Sequence, residues 1–259
     1  MKLTVLSENR AMEGFQAEHG LSFLIEYNQT RLLFDTGASD VFLRNALKLN
    51  IDLDPVGMVV LSHGHFDHGD GLEHLQAKTL ICHPGCFTKR YRKGDKLYIG
   101  LAMTEPVIRK KFNLITSRHP YQISDEIVYL GEIPRLNDFE AKTTGFINAK
   151  GIDDFVPDDS ALAIKSEKGL IIITGCSHSG VCNIIEHAKK TTSIDLVYAV
   201  MGGFHLKTID RQSLQTIEYF KREKIQKVFP SHCTDEPVLS RIIHEFDSHT
   251  IMAGMEINM

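Results

Sequence analysis

Residues 61–72, reading LSHGHFDHGDGL, constrain this chain more than any other stretch. They pack three histidines, two aspartates and three glycines into twelve positions, directly after the apolar run Met58-Val59-Val60. His63, His65, Asp67 and His68 carry the nitrogen and oxygen donors that a zinc-type ion takes. A helix would turn positions i and i+2 to different faces. A loop leaving a buried strand can turn all four donors inward. Such a site needs further ligands, a scaffold and a pocket from the rest of the chain.

At 259 residues the chain is long enough for one large domain or two small ones, and its 42% hydrophobic and 24% charged content is that of an ordinary globular protein. The net charge of -4 gives no case for nucleic-acid or membrane binding. One segment departs from that average. Between Lys89 and Arg118 nine cations face two acids, a balance of +7, so the remainder sums to -11. The five cysteines are scattered and odd in number, no secretory signal precedes them, and no apolar run approaches the ~18 residues of a membrane span. The expectation is free thiols and a cytoplasmic protein.

Short apolar runs alternate with helical patterns. Strands are expected at 3–6, 21–27, 31–34, 58–61, 79–82, 125–131, 161–164, 170–173, 196–201 and 228–229. Helices are expected at about 39–49, 72–76, 181–190, 211–224 and 236–246, the first capped by Ser39 or Asp40 and the fourth with Leu214, Ile217 and Phe220 on one face. Residues 84–120 have weak periodicity and read as a basic insertion or lid; 132–159 read as mostly irregular. Five strands end in polar clusters: Asp35, the His63–His68 run, Cys176 to His178, His205 and His232. Converging strand ends are a common way to build a site on an α/β scaffold.

The H-x-H-x-D-H run, with Phe34-Asp35-Thr36-Gly37 before it and a late strand-end histidine, resembles the signature of the metallo-β-lactamase-fold superfamily. The resemblance spans nearly the whole chain and implies a single domain over 1–259, a four-layer α/β/β/α sandwich with the basic segment around 84–120 inserted. It implies one or two ions, zinc or alternatively manganese or iron, with His63 and His65 on the first and Asp67, His68 and His232 on the second. Two positions depart from the pattern. The usual third-histidine region reads Val156-Pro157-Asp158-Asp159-Ser160, and the usual Gly-Asp bridge reads Gly175-Cys176. His178 is the expected replacement ligand, with Asp158, Asp159 or Cys176 as alternatives. Asp35 is expected to orient a ligand histidine.

Further blocks, among them Glu18-His19-Gly20-Leu21-Ser22, Gly175-Cys176-Ser177-His178, Gly202-Gly203-Phe204-His205 and Ser231-His232-Cys233-Thr234, are similar to the branch related to 7,8-dihydropterin-6-methyl-4-(β-D-ribofuranosyl)aminobenzene-5′-phosphate synthase. The implied activity is a metal-dependent hydrolase or transferase on a phosphorylated or otherwise anionic small molecule. The ion would lower the pKa of bound water toward about 7 or stabilise a leaving group. Asp67 would orient that water. His205 would bond substrate or serve as general acid, and cations of the basic segment would hold the anion. The competing expectation is a non-catalytic metal-binding or ligand-sensing protein, motivated by the rewritten third ligand and bridge. Nothing in the sequence sets an oligomeric state.

Overall fold

The computed structural model describes residues 1–246 and 248–259. In chain order the strands are β1 (Lys2–Ser7), β2 (Ser22–Tyr27), β3 (Thr30–Phe34), β4 (Met58–Val60), β5 (Thr79–Cys82), β6 (Arg90–Arg92), β7 (Asn113–Thr116), β8 (Tyr121–Gln122), β9 (Ile127–Tyr129), β10 (Phe146–Asn148), β11 (Ala161–Ser166), β12 (Gly169–Thr174), β13 (Val197–Gly203), β14 (Lys227–Ser231) and β15 (Glu256–Asn258). The helices are α1 (Val41–Lys48), α2 (Phe66–Gly69), α3 (Glu105–Lys111), α4 (Val181–Thr192), α5 (Arg211–Arg222) and α6 (Glu236–Phe246). The chain divides into two compact units, residues 1–117, 145–153 and 251–259 forming the first, and 118–144 with 154–250 the second.

The first unit is a seven-stranded sheet in the order β15-β1-β2-β3-β4-β5-β7, with β6 and β10 as a separate two-stranded ribbon. The β2–β3 hairpin turns through Asn28, held at φ 51°, a left-handed conformation that asparagine tolerates. From β3 onward β3, β4, β5 and β7 run parallel, so their C-terminal ends share one edge of the sheet. Phe42 and Ala46 of α1 and Ile108 of α3 pack with Leu33, Val59 and Leu80 in one apolar cluster. The Ser39 hydroxyl accepts the Val41 N–H, while the Asp40 carboxylate pairs with Arg44 instead of capping α1.

The basic segment differs from the expected insertion. Its second half is integral to this unit: α3 buries Ile108, the following Phe112 is also buried, and β7 extends the sheet beside β5. Residues 84–104 are anchored to it as well, with Cys86 and Leu101 in the same apolar cluster. The segment is also not an open cationic surface. Arg92 pairs with Asp95, Lys93 with Asp153 and Arg109 with Glu105, Lys111 donates to the Leu72 and Glu73 carbonyls, and Arg90 is fully buried. Most of its charge is committed to the chain itself.

The second unit is a six-stranded sheet, β14-β13-β12-β11-β9-β8, in which β12, β13 and β14 are parallel neighbours. Helices α4, α5 and α6 bury Ile184, Ile185, Ile217, Phe220, Val238 and Ile242 against Ala163, Ile172 and Val200. Asp210 and Ser213 close a reciprocal capping box at the start of α5. The buried residues of α5 are Ser213, Thr216, Ile217, Tyr219 and Phe220, and Leu214 lies outside them, 44% exposed. At ~100° per residue, 213, 216, 217 and 220 form one stripe and 214 falls off its edge. Each unit is a sheet with helices on one side, the pair of layers that half of the expected sandwich comprises.

Asp159 sits wholly buried in this unit, its carboxylate accepting the Ser179 N–H at 2.9 Å. Burial pushes its pKa up to about 6, against the opposing hydrogen bonds of Ser179 and His178. The unfolded chain releases this proton near pH 3.9, so the folded state holds the extra proton between about pH 4 and pH 6. Stability from this residue is therefore full below pH 4 and falls as pH rises through 6, by about 3 kcal/mol at most. Asp159→Asn is expected to remove that component of the slope, read as urea midpoints at several pH values on chelator-stripped protein. An unchanged slope would mean that Asp159 titrates normally.

Candidate metal centre

In the first unit β3 and β4 deliver Asp35 and the histidine run to the same sheet edge, because adjacent parallel strands end together. The run is not an extended loop. After His65 the chain turns into α2, which carries Asp67 and His68, then into a 3-10 turn over Asp70–His74. Helical pattern at 72–76 is thus displaced toward the donors. Backbone bonds fix this turn from outside: Leu21 N–H donates to the Asp67 carbonyl at 3.0 Å and Thr36 N–H to the His68 carbonyl at 2.8 Å.

All four donors are buried, His63 and His68 completely. Asp35, held at φ 59°, accepts the Ser62 N–H, the Ser62 hydroxyl and His68 Nδ1, each at 2.7 Å. A carboxylate only accepts, so His68 Nδ1 carries the proton and Nε2 keeps its lone pair. Ser62 has spent its single proton on Asp35, so its oxygen accepts from His63 Nδ1 at 2.9 Å. That leaves a lone pair on His63 Nε2, which lies 2.9 Å from His65 Nδ1. Two ligand nitrogens 2.0–2.1 Å from a tetrahedral ion stand about 3.3 Å apart, so the pair is within a few tenths of an ångström of chelating distance. His68 Nε2 and Asp67 Oδ2 form a second converging pair at 3.8 Å. The donor set fits a divalent cation.

Around this set, His19 Nε2 meets Asp67 Oδ2 at 3.2 Å, with the His19 side chain 63% exposed. Phe146 of the β6–β10 ribbon lies edge-on to His65, ring centroids 4.8 Å apart. Ser62 and Phe146 are contributors that the residue pattern does not reveal.

In the second unit three parallel strand ends supply the remaining candidates. Ser177 at φ 58°, His205 at 50° and His232 at 51° all adopt left-handed backbone. Non-glycine residues in that region are uncommon and collect at functional sites. The His178 and His205 rings stand 4.4 Å apart. One ring nitrogen or sulfur from each of Cys176, His205 and Cys233 lies within 4.8 Å of the others. His205 N–H donates to Cys233 Sγ at 3.3 Å, and Cys233 Sγ lies 3.4 Å from the Cys176 carbonyl oxygen. Burial pushes the Cys233 thiol up, but its hydrogen bonds with Cys176 and His205 and the charges of His205 and His232 outweigh burial and hold it well below its usual range. Asp159 is occupied with the turn into α4 through Ser179.

The histidines outside these clusters have local duties. His83 accepts the Gly85 N–H at 2.9 Å, His187 Nε2 bonds the Leu130 carbonyl at 3.0 Å, and His249 meets Phe229 edge-on. Cys82 and Cys86 are packed in the apolar core.

Comparison with known proteins identifies relatives of the whole chain. A crystallised protein, Tm1679, described as a metal-dependent hydrolase of the β-lactamase superfamily, superposes with a TM-score of 0.89 at 30% identity, covering 100% of this chain and 99% of its own. An uncharacterized protein of Methanocaldococcus jannaschii is 36% identical over 93% of each chain. The 7,8-dihydropterin-6-methyl-4-(β-D-ribofuranosyl)-aminobenzene-5′-phosphate synthase of the same organism is 32% identical over 98% of this chain and 95% of its own. The sequence profile of the metallo-beta-lactamase superfamily matches residues 16–232, and the chain belongs to that superfamily.

Proposed function

We propose that this protein is a metal-dependent hydrolase or transferase acting on a phosphorylated or otherwise anionic small molecule. The observation that carries the reading is the network Asp35–Ser62–His63–His68, which fixes two imidazole tautomers with their Nε2 lone pairs available. The proposed ligands are His63, His65, Asp67 and His68, with His178 and His232 completing the set. A bound zinc-class ion supplies Lewis-acid activation of water or neutralises a leaving phosphate. The chain's own part is to hold the donors. Asp35 locks His68, Ser62 locks His63, Phe146 shields His65, and His19 steadies the Asp67 carboxylate. Zinc, manganese and iron all suit mixed nitrogen and oxygen donors.

The finer reading is dihydropterin transfer to a ribofuranosylaminobenzene phosphate, supported by the named synthase relative. A cytoplasmic location belongs to the same proposal. It is supported by five free cysteines, and among the described residues no helix is long and apolar enough to cross a membrane. The replacement of the bridging Gly-Asp by Gly175-Cys176 favours a second reading, a metal-binding or ligand-sensing protein without catalysis.

His65→Ala separates these readings. It is expected to lower metal stoichiometry and to abolish turnover of phosphodiester, ester and dihydropterin diphosphate substrates. Retained turnover in the variant would rule out the proposed site. A metal-loaded wild type inactive on all three substrate classes would favour the sensing role.

A further inference from the structure

We infer that Cys176, Cys233 and His205 form a sulfur-bearing metal site, a two-thiolate, one-imidazole tripod at the ends of β12, β13 and β14. It uses no residue of the H-x-H-x-D-H run, although Cys176 is also an alternative ligand of the family's centre named above.

The five cysteines fall into two kinds. Cys82, Cys86 and Cys182 sit inside the apolar clusters, where a free cysteine behaves as a small hydrophobe. Cys176 and Cys233 are equally buried but belong to neither cluster. They occupy polar strand ends, and with His205 they bring two sulfurs and a ring nitrogen within 4.8 Å of one another.

The backbone is thinned to permit this approach. A Cβ on Gly203 would stand 2.5 Å from Cys233 Sγ and 2.5 Å from the Gly175 carbonyl oxygen. A Cβ on Gly202 would stand 2.0 Å from the Thr174 carbonyl oxygen. Any side chain at Gly203 would therefore drive Cys233 away from Cys176. Left-handed His205 and Ser177 turn the chain directly after the strands, and the Ser177 hydroxyl ties its loop to the Gly203 carbonyl at 2.6 Å. Three parallel strands in register, Thr174 beside Gly202 and Gly203 beside Ser231, fix the spacing of the tripod.

Two thiolates and an imidazole select zinc or another soft ion over magnesium or manganese and leave a fourth position for solvent or ligand. On binding, each thiol gives its proton to solvent, so loading releases up to two protons per ion. In this reading His205 is a ligand in place of the general acid that the sequence suggests.

The test is cobalt substitution of the full-length, reduced, chelator-stripped protein, followed by near-ultraviolet absorption. A sulfur-to-cobalt charge-transfer band is expected in the wild type. It should weaken in Cys176→Ser and in Cys233→Ser, disappear in the double variant, and stay unchanged in Cys182→Ser. It should also survive His65→Ala, the variant that tests the hydrolase site, so the two proposals fail separately. No band in the wild type, a band indifferent to both cysteine substitutions, or a band lost in His65→Ala would each overturn the tripod. Should the cysteine variants not fold, X-ray absorption at the zinc edge of the wild type decides: a sulfur shell at about 2.3 Å supports the site, and a shell of nitrogen and oxygen alone overturns it.

Discussion

Asp35→Asn is expected to lower affinity for a divalent metal by about 10- to 100-fold, the cost usually seen when the partner that orients a metal-binding histidine is removed. The substitution preserves shape and changes only hydrogen-bond polarity. One Asp35 oxygen accepts the Ser62 backbone N–H; the other accepts the Ser62 hydroxyl and His68 Nδ1. An amide offers only one accepting oxygen. Placed toward the backbone N–H, which cannot reverse, it leaves an NH2 group facing His68 Nδ1. His68 must then accept at Nδ1 and carry its proton on Nε2, the atom a metal requires. Placed the other way, the NH2 opposes the buried Ser62 N–H, and an unsatisfied buried pair costs about 1–3 kcal/mol.

The change also propagates to His63. With the Ser62 hydroxyl turned from its carboxylate acceptor, its oxygen is no longer reserved for His63 Nδ1. Two proposed ligands lose their tautomers from one substitution at a residue outside the proposed ligand set. Isothermal titration of the stripped protein with zinc reads the affinity, and a denaturant melt of the same sample reads folding. Wild-type affinity in a folded Asp35→Asn protein would mean that His68 is not held as described.

How much of this was legible in the sequence depends on how local the chemistry is. The H-x-H-x-D-H donors lie within six residues, so their convergence needs only a turn after β4. Asp35 was legible as an orienting partner because a carboxylate followed by Thr-Gly ends an apolar strand, and adjacent parallel strands end at one edge. Ser62 carried no signal, since one serine before a histidine is ordinary and its role exists only once Asp35 lies beside it. Phe146 reaches His65 through a ribbon built from residues over 50 positions apart, inside a stretch with no periodicity.

Elements whose pattern is short or masked by charge are the least legible. Arg109, Lys110 and Lys111 masked the apolar face of α3, so a core helix and an edge strand read as an inserted lid. Helix α2 escaped notice because four residues ending in glycine leave no periodic pattern. On α5 the apolar face that holds Leu214, Ile217 and Phe220 is only partly buried, because packing at Ile217 and Phe220 sets a phase that turns Ser213 and Thr216 inward and leaves Leu214 exposed.

Gly64→Ala is expected to be among the most destabilising single substitutions available in the first unit, about 3–5 kcal/mol and roughly 10 °C in Tm. Gly64 separates His63 from His65, and the motif spacing alone leaves its identity unexplained. The structure supplies the reason: a Cβ there would lie 1.9 Å from the Cys86 carbonyl oxygen, 2.5 Å from its carbonyl carbon and 2.6 Å from its Cα. All three are backbone atoms, so no rotamer change relieves the overlap. Cys86 is fixed in turn, because its N–H donates to the His83 carbonyl at 3.0 Å and its side chain is buried in the core. The histidine run must therefore move as a unit, and moving it separates His63 Nε2 from His65 Nδ1. Loss of stability and loss of metal binding are expected together, the first read by thermal melts of the stripped protein and the second by metal content after purification. A variant that melts like the wild type would show that the chain does not pass Cys86 as closely as this, and would remove the steric reason for glycine between the two histidines.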